Sequence, residues 1–329
     1  MPQGFANFDG ASLPVHKVVY FPRLLPTRRL PWIIAGHCWM PSDPSNPYLL
    51  DKRKTRLGFE RAANTYDANA VLQREVGSRL LERLDLIKMQ PATVLDLGCG
   101  TGAVSEHLLK RYKKARIIGI DLALNMAQKT CQRGGWFRKP RAVCADAARL
   151  PFQPQCADML VSNLMLQWCN DLPAVFSEFA QALKPEGLLM FSTFGPDTLK
   201  ELRASWGRVD GYTHASRFTD MHDVGDALLQ AGFRDPVVDM EIITLTYADV
   251  RGLLRDLKGI GANNATYGRN HGLTGKARLQ AFLQAYEYFR LEDGHYPATY
   301  EVVYGHAWAS KLLPSKLPEK FIPIMRSQP

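Results

Sequence analysis

The chain has 329 residues, of which 46% are hydrophobic and 22% are charged. This composition is ordinary for a globular protein and argues against disorder and against a fibrous protein. The length allows one large domain or two smaller ones. No apolar run approaches the ~18 residues of a transmembrane helix, and the first ten residues lack the basic and apolar regions of a secretory signal. We therefore expect a cytoplasmic protein with no membrane insertion.

The 41 basic and 32 acidic residues give a net charge of +9, which favours an anionic partner. Much of the excess lies in two basic segments, 52–56 and 110–116. Both can be plain solvated surface. They lack the interleaved aromatic residues of a base-stacking surface, so nucleic acid is not expected. The six cysteines include no C-x-x-C pair, which indicates reduced thiols and no metal site.

The two ends of the chain differ from its middle. Residues 1–50 hold eight of the 21 prolines, which leave no room for a long helix, so we expect a loosely ordered arm or an upstream extension of the reading frame. Residues 51–90 have apolar positions at helical spacing and are predicted to form two helices before the first strand. Residues 311–329 form a basic tail.

Strands and helices alternate over the middle of the chain, which predicts a parallel sheet covered by helices on both faces. Two later strands are separated by a largely helical insertion, 249 to about 291. Strands are predicted over 93–97, 116–120, 142–145, 158–162, 188–194, 237–247 and 300–308, and helices over 101–112, 123–133, 172–183 and 221–230.

Ligands of an open parallel sheet bind beyond the carboxyl ends of its strands. The first strand leads into the loop Asp96-Leu97-Gly98-Cys99-Gly100-Thr101-Gly102, whose alternate glycines let the backbone approach a ligand closely. Asp121 ends the second strand and can accept hydrogen bonds from two ribose hydroxyls. Asp146 and Ala147 follow the third strand and can bind the edge of an adenine, and Asn163 follows the fourth.

Two ligands are compatible with this loop. Gly98, Gly100 and Ala103 also satisfy the dinucleotide pattern G-x-G-x-x-A, which would indicate a nicotinamide enzyme. Asp96, however, puts a carboxylate before the loop, which is unfavourable near a pyrophosphate and tolerable near a cation. Asp146 adds an acceptor at a third strand end. Acceptor groups at three successive strand ends favour a nucleoside that carries a cationic sulfonium tail.

These residues resemble the class I S-adenosylmethionine-dependent methyltransferases over 94–194. Over about 51–309 the chain is similar to one family within them, the malonyl-[acyl-carrier protein] O-methyltransferases of biotin synthesis. The central part is also similar to the mitochondrial complex I assembly factors linked to arginine hydroxylation. The blocks that carry the narrower resemblance are Asp51–Val76, Asn163–Trp168, His214–Phe218, Leu257–Ala262 and Thr299–Trp308.

The resemblance implies a Rossmann-like class I methyltransferase fold: a mostly parallel seven-stranded sheet with helices on both faces, an N-terminal helical lid and a helical insertion between the last two strands. It implies S-adenosylmethionine as cosubstrate and no metal. Asn163 and Gln167 would face the methyl group and position the substrate. The implied cofactor-binding residues are Tyr66, Gln73, Asp96, Gly98, Cys99, Gly100, Gly102, Asp121, Leu122, Met126, Asp146, Ala147 and Asn163.

The implied substrate is the free carboxylate of a malonyl thioester, carried by an acidic acyl-carrier protein or by coenzyme A, whose methylation starts pimeloyl synthesis for biotin. A carboxyl group with a pKa of ~4 is already ionised at neutral pH, so no acid or base catalyst is expected. Arg217 or His214, with Lys258 behind them, would orient the carboxylate. The alternatives are a methyltransferase for another small carboxylate and an assembly factor or arginine hydroxylase with the same fold.

Overall fold

The computed structural model describes residues 46–311. Residues 1–45 of the expected Pro-rich arm and residues 312–329 of the expected basic tail lie outside the described residues. Seven strands form one sheet: β1 (Thr93–Leu97), β2 (Arg116–Asp121), β3 (Arg141–Cys144), β4 (Ala157–Asn163), β5 (Leu183–Phe194), β6 (Phe233–Tyr247) and β7 (Tyr296–Ala309).

The strands are ordered β3-β2-β1-β4-β5-β7-β6 across the sheet. The pairs among β1 to β5 are parallel, whereas β7 runs antiparallel to both of its neighbours, β5 and β6. The order places β1 between β2 and β4 in the interior of the sheet. The mostly parallel seven-stranded sheet that we predicted is confirmed, and its switch point lies at the carboxyl ends of β1, β2 and β4.

Ten α-helices connect or cover the strands within residues 46–311. They are α1 (Lys52–Ala62), α2 (Tyr66–Asn69), α3 (Val71–Arg83), α4 (Ala103–Arg111), α5 (Leu124–Thr130), α6 (Leu172–Ala182), α7 (Lys200–Gly207), α8 (Met221–Gln230), α9 (Val250–Gly259) and α10 (Lys276–Tyr286). No helix in this part of the chain is both long enough and apolar enough to cross a membrane.

The core consists of two layers, one on each face of the sheet. Because side chains alternate along a strand, Val94 packs into one layer and its neighbour Leu95 into the other. Helices α3, α4, α7, α9 and α10 supply the first layer, and α6 and α8 supply the second. Both faces are therefore covered, as predicted.

A gap was predicted between the helix 172–183 and the strand 188–194. This was wrong, because β5 already begins at Leu183. Ala157 pairs with Leu183, whereas Met159 pairs with Leu188, so the intervening residues form an irregularity in the register. Glu186 within it has a φ of 61°. Proline and glycine are tolerated in a strand at such irregularities.

Two further details differ from the prediction. The segment before β1 forms three helices, α1 to α3, because the chain turns between Ala62 and Val71 and the second helix is only 4 residues long. Helix α7 follows β5 and was not predicted. The insertion between β6 and β7 is helical, as expected, and its first helix, α9, ends at Gly259.

Four helices begin directly after an aspartate that caps them. Asp51, Asp171, Asp220 and Asp249 each accept a hydrogen bond from a backbone N–H in the first turn of the helix that follows. Such caps satisfy N–H groups that have no partner inside the helix.

Helix α1 and the end of α9 are in backbone contact. A Cβ atom on Gly58 would lie 2.9 Å from the carbonyl oxygen of Gly261, and one on Gly261 would lie 2.9 Å from Cβ of Ala62. The hydroxyl of Thr65 donates to the carbonyl of Gly259 at 2.8 Å. Only glycine allows this approach, which joins the N-terminal helices to the insertion.

Candidate active site

The loop from β1 to α4 lies at the switch point and has a strained, tightly turned backbone. Gly98, Gly100 and Gly102 have φ values of 72°, 54° and 89°. The N–H groups of Gly98 and Cys99 donate to the carbonyl of Ile120, at 2.7 and 3.0 Å, which holds the loop against the end of β2. These left-handed conformations are the reason why the loop needs glycine.

The three glycines face different neighbours. A Cβ on Gly98 would meet the Met165 side chain at 2.4 Å, and one on Gly102 would meet the Thr130 backbone at 2.9 Å. At Gly100 the nearest atoms belong to the ring of Tyr66, at 3.8 Å. Gly98 and Gly102 thus serve close packing, whereas Gly100 is in ordinary van der Waals contact with the ring of Tyr66.

Asp121 is hydrogen-bonded to the backbone of this loop. Its Oδ2 accepts a hydrogen bond from Gly100 N at 2.9 Å, and its Oδ1 accepts one from Ala123 N at 2.8 Å. Burial raises the pKa of Asp121 to about 6, although these backbone bonds favour the ionised form. The side chain is therefore held by the loops on both sides, and each oxygen keeps a lone pair for a further donor.

Asp96 and Cys99 lie beneath the loop rather than in open space. Oδ2 of Asp96 accepts from the hydroxyl of Ser105 at 2.5 Å, and burial raises the pKa of Asp96 to about 7. The thiol of Cys99 is buried against Thr130, and a Cβ on Gly119 would lie 2.7 Å from its sulfur. We expected both residues at the cofactor; their side chains point into the protein.

The expected adenine side holds an ion pair. Oδ2 of Asp146 lies 2.5 Å from Nζ of Lys52 on α1, and Oδ1 accepts from Ala148 N at 2.9 Å. Ala147 and Met126 are buried. Met126 packs in a small cluster with the alanines of α1, next to Phe59 and Tyr66. Leu122 follows Asp121 directly and is half-buried.

Helix α1 is fixed to the sheet by Glu60, which sequence reasoning missed. Its two carboxylate oxygens accept from Leu124 N and Asn125 N, at 2.7 and 2.9 Å, and so cap the start of α5. A carboxylate at a helix N-terminus is favourable for the helix dipole. No local pattern signals this contact, because the partners are 64 and 65 residues apart.

The segment after α1 is tied to the glycine loop by polar contacts. Oδ1 of Asp67 accepts from the hydroxyl of Thr101 at 2.5 Å, and Oδ2 pairs with Arg133 at 2.5 Å. Burial raises the pKa of Tyr66, so its hydroxyl stays neutral. The ring of Tyr66 thus lies over Gly100 and also lines the pocket described next.

A pocket of about 840 Å³, including its open mouth, continues from Tyr66 between α1, α3 and the insertion. Phe59 and Trp168, whose rings meet edge to face at 5.1 Å, form part of its wall. Aromatic and aliphatic side chains dominate the lining. The polar groups in it include Gln73, Gln167, Thr198, His214, Asn263 and Asn264.

Asn163 does not line this pocket, and both ends of its amide are engaged. Nδ2 donates to the carbonyl of Gln73 at 2.9 Å, and Oδ1 accepts from the hydroxyl of Ser192 at 2.8 Å. This side chain therefore fastens α3 to β4 and β5. Gln167 lines the pocket as expected, and its Nε2 donates to the carbonyl of Leu164 at 2.7 Å.

His214 is the one residue of this lining whose side chain can carry a positive charge. Nε2 lies 2.7 Å from Oδ1 of Asp210, and the imidazole is stacked on Trp206 with ring centres 3.9 Å apart. Burial opposes the ionisation of Asp210, but hydrogen bonds from His214 and from Tyr212 N outweigh it and lower the pKa of the carboxyl. Arg278 lies 4.0 Å from Oδ2 of Asp210.

The other two expected carboxylate ligands are not in the pocket lining. Arg217 is exposed, and its guanidinium lies 3.8 Å from the ring centre of Tyr48. Lys258 is exposed at the end of α9. Sequence reasoning missed Asp210 and Trp206, although the spacing Asp-x-x-x-His was available as a signal for the pair. Within residues 46–311 no cluster of three or more His, Cys, Asp or Glu side chains could hold a metal ion.

Comparison with known proteins adds to these observations. Residues 95–191 match the family described as "Methyltransferase domain". The chain is 55% identical to the malonyl-[acyl-carrier protein] O-methyltransferase of Gallionella capsiferriformans, over 80% of this chain and 92% of that protein. It is 54% identical to the enzyme of the same name from a Methylovorus species, over 80% and 91%. A solved putative methyltransferase from Bacillus halodurans has a TM-score of 0.52 at 16% identity, over 71% and 98%.

Proposed function

The chain belongs to the family of malonyl-[acyl-carrier protein] O-methyltransferases, and we propose that it transfers a methyl group from S-adenosylmethionine to the free carboxylate of a malonyl thioester. The observation that carries the proposal is the position of Tyr66. Its ring covers Gly100 at the end of β1 and also lines the pocket that contains His214, so a nucleoside site and an anion-accepting pocket are continuous.

The strand ends fit the nucleoside of S-adenosylmethionine. Asp121 is held in place by two backbone N–H groups and keeps acceptor capacity for two ribose hydroxyls. We infer that the backbone of Gly100 lies beside the methionine end. We also infer that Leu122 and Met126 flank the adenine, with Asp146 and Ala147 at its edge. Bound S-adenosylmethionine supplies a methyl group on a positively charged sulfur.

The pocket fits a malonyl group. We infer that His214 is the group that orients the malonyl carboxylate, since it is the residue of the lining that can pair with an anion. Asp210 holds Nε2 of the ring, and no described residue is hydrogen-bonded to Nδ1, so a protonated His214 can donate from Nδ1 into the pocket. Gln167 offers a second polar contact.

This chain's own contribution is positioning and the exclusion of water. An ionised carboxylate is already a nucleophile, so no residue has to remove a proton. The reacting carboxylate oxygen has to be held ~3–3.5 Å from the methyl carbon. It also has to be in line with the bond between that carbon and the sulfur, which breaks. Phe59, Tyr66 and Trp168 cover the pocket, and a dry site favours the reaction because opposite charges combine into neutral products.

We further propose a division of labour in the chain. Helices α1 to α3 form a lid, and Asn163 fastens that lid through Gln73 rather than touching the substrate. The side-chain amides of Asn263 and Asn264 in the insertion complete the substrate side. An acyl-carrier protein or coenzyme A thioester would deliver the malonyl group, and a cytoplasmic location agrees with such a substrate.

The test is a methyl-transfer assay. Purified protein is incubated with labelled S-adenosylmethionine and either malonyl-carrier protein or malonyl-coenzyme A. We expect a base-labile methyl ester and release of adenosylhomocysteine, and we expect the Asp121→Ala variant to form neither. Labelled ester on succinyl or tricarboxylic substrates, with none on either malonyl thioester, would assign a different carboxylate. Cofactor binding without any ester would contradict methyl transfer altogether.

A further inference from the structure

Two basic segments of the chain could attract an acidic partner, and the structure separates them by position. Segment 110–116 lies at the end of α4 and the start of β2. This is the edge of the sheet that contains the first residues of the parallel strands. The candidate site is at the opposite edge, which contains their last residues. Segment 52–56 lies on α1, whose Phe59 lines the pocket.

The two segments also differ in their ion pairs. Lys110 pairs with Glu106 at 2.8 Å and Arg111 with Asp85 at 2.5 Å, and Arg116 donates to the hydroxyl of Thr93. These three charges have partners within the fold, whereas the exposed Lys113 and Lys114 of the same segment have no ion pair with a residue in 46–311. On α1, Arg53 and Arg61 are exposed and have no ion pair with any residue in 46–311.

Arg53, Leu57 and Arg61 form one face of α1, because residues four apart in a helix lie above one another. The side chain of Leu57 at the centre of this outer stripe is 38% exposed. The opposite face holds the buried Thr55 and Ala62 and the pocket residue Phe59. The outer stripe is thus the solvent side of the helix that covers the pocket.

The position of Arg53 is unfavourable for α1 itself. The first turn contains basic residues and no acidic one, an arrangement that the positive end of the helix dipole disfavours. Asp51 caps the helix, which offsets part of that cost, and Arg61 lies in the last turn, where a cation is favourable. Arg53 thus stabilises neither the helix nor an ion pair within residues 46–311, and an external anionic partner would account for its placement.

We propose that the outer stripe Arg53–Leu57–Arg61 is the docking surface for the acidic carrier protein that delivers the malonyl thioester; this inference rests on the proposed function. The two guanidinium groups would meet carboxylates, and Leu57 would supply the apolar contact between them. The hydroxyl of Thr65, just after α1, donates to the carbonyl of Gly259, so the exposed Lys258 lies near the end of the same helix. Docking here places the thioester beside the lid that covers the pocket.

The test compares two substrates in a charge-reversed variant. In Arg53→Glu/Arg61→Glu we expect kcat/KM for malonyl-carrier protein to fall about 10-fold or more, since steering by charge changes association rates by that order. We expect malonyl-coenzyme A, which needs no protein docking, to react within about twofold of the parent rate. The parent's salt dependence with the carrier protein should weaken in the variant.

The matched control is Lys113→Glu/Lys114→Glu, which changes the net charge equally at the opposite edge, where both lysines are exposed. An equal loss in this control would mean that overall charge, not the stripe, attracts the carrier protein, and would overturn the proposal. So would an equal loss with malonyl-coenzyme A, or unchanged kinetics with the carrier protein.

Binding is measured separately, so that the docking surface is tested even without turnover. Fluorescence anisotropy of labelled carrier protein should show binding to the parent and to the lysine control, and weaker binding to the arginine variant. If no thioester is methylated but this pattern holds, the proposed function fails and the docking surface stands. If methylation occurs and the parent, the lysine control and the arginine variant all bind the carrier protein equally, the proposed docking surface is disproved.

Discussion

Nε2 of His214 lies 2.7 Å from Oδ1 of Asp210, and both side chains are largely buried at the wall of the pocket. A hydrogen bond to a carboxylate determines which ring nitrogen is free to face a ligand. Here Nε2 of His214 is engaged, and no residue in 46–311 is hydrogen-bonded to Nδ1. This pair therefore links a charged residue behind the wall to the anion that the pocket would accept.

Replacing His214 by Ala should raise KM for malonyl-coenzyme A about 10- to 100-fold, because a hydrogen bond to a charged group contributes ~1.5–3 kcal/mol. The affinity for adenosylhomocysteine should not change, since Asp121 and the glycine loop are separate from this wall. Steady-state kinetics and calorimetry measure the two effects. His222→Ala is the control, because His222 forms a similar pair with Asp220 on the surface. Loss of both substrate and cofactor affinity would indicate a role in folding instead.

Binding of adenosylhomocysteine should depend on pH through Asp121. Ribose hydroxyls donate to the ionised carboxylate, whereas burial raises the pKa of this group to about 6. Below that pH the group has to lose a proton for binding, so affinity should fall up to about tenfold per pH unit. Calorimetry between pH 5 and 8 measures the slope, and Asp121→Asn should remove it. A constant affinity in the parent over this range would contradict the ribose assignment.

Glu60→Ala should reduce the free energy of unfolding by ~1–2 kcal/mol, as the loss of a helix cap does. It should also weaken adenosylhomocysteine binding, because it frees α1 from the start of α5, beside Asp121. Urea unfolding and calorimetry report the two effects. Asp171→Ala is the matched control, since it removes a cap of the same kind from α6, which packs on the other face of the sheet from α3 and α4. Equal cofactor affinity in the two variants would disprove the link between Glu60 and the site.

Two glycine substitutions should have opposite effects on stability. Gly225 lies inside α8 with no atom within 4 Å of an added Cβ, so Gly225→Ala should stabilise the protein by about 1 kcal/mol. Gly102 has a φ of 89°, and its Cβ would lie 2.9 Å from Thr130 Cα. Gly102→Ala should therefore destabilise it by ~1–3 kcal/mol. Urea unfolding measures both, and a stable Gly102→Ala protein would show that the loop can relax.

The sequence predicted those parts of the fold whose signals are local. The strand before Gly98 and the carboxylate at Asp121 could be located because strand periodicity, glycines and strand-end polar groups occur within a few residues of one another. The last strand and the insertion before it were also predicted in place, whereas the antiparallel direction of β7 was not predicted. Helix α7 was missed, because its apolar positions are few and follow β5 after a short turn.

The contacts that shape the site were harder to predict, because they join distant residues. Asn163 was chosen correctly as a strand-end amide, but its partners are Gln73, 90 residues away, and Ser192. Arg217 was expected to face the substrate and instead lies over Tyr48. A single sequence reveals which side chains can bind a carboxylate, whereas the packing of the chain decides which of them reach it.

The contact between Gly58 and Gly261 has a mechanical consequence. Two backbones that touch without intervening side chains cannot slide past each other, because each lacks the flexible atoms that would absorb a shift. Any opening that admits a thioester therefore has to move α1 and the end of α9 together. The bridge between Leu50 and Thr266 joins the two segments a second time, so the chain ahead of α1 would move with them.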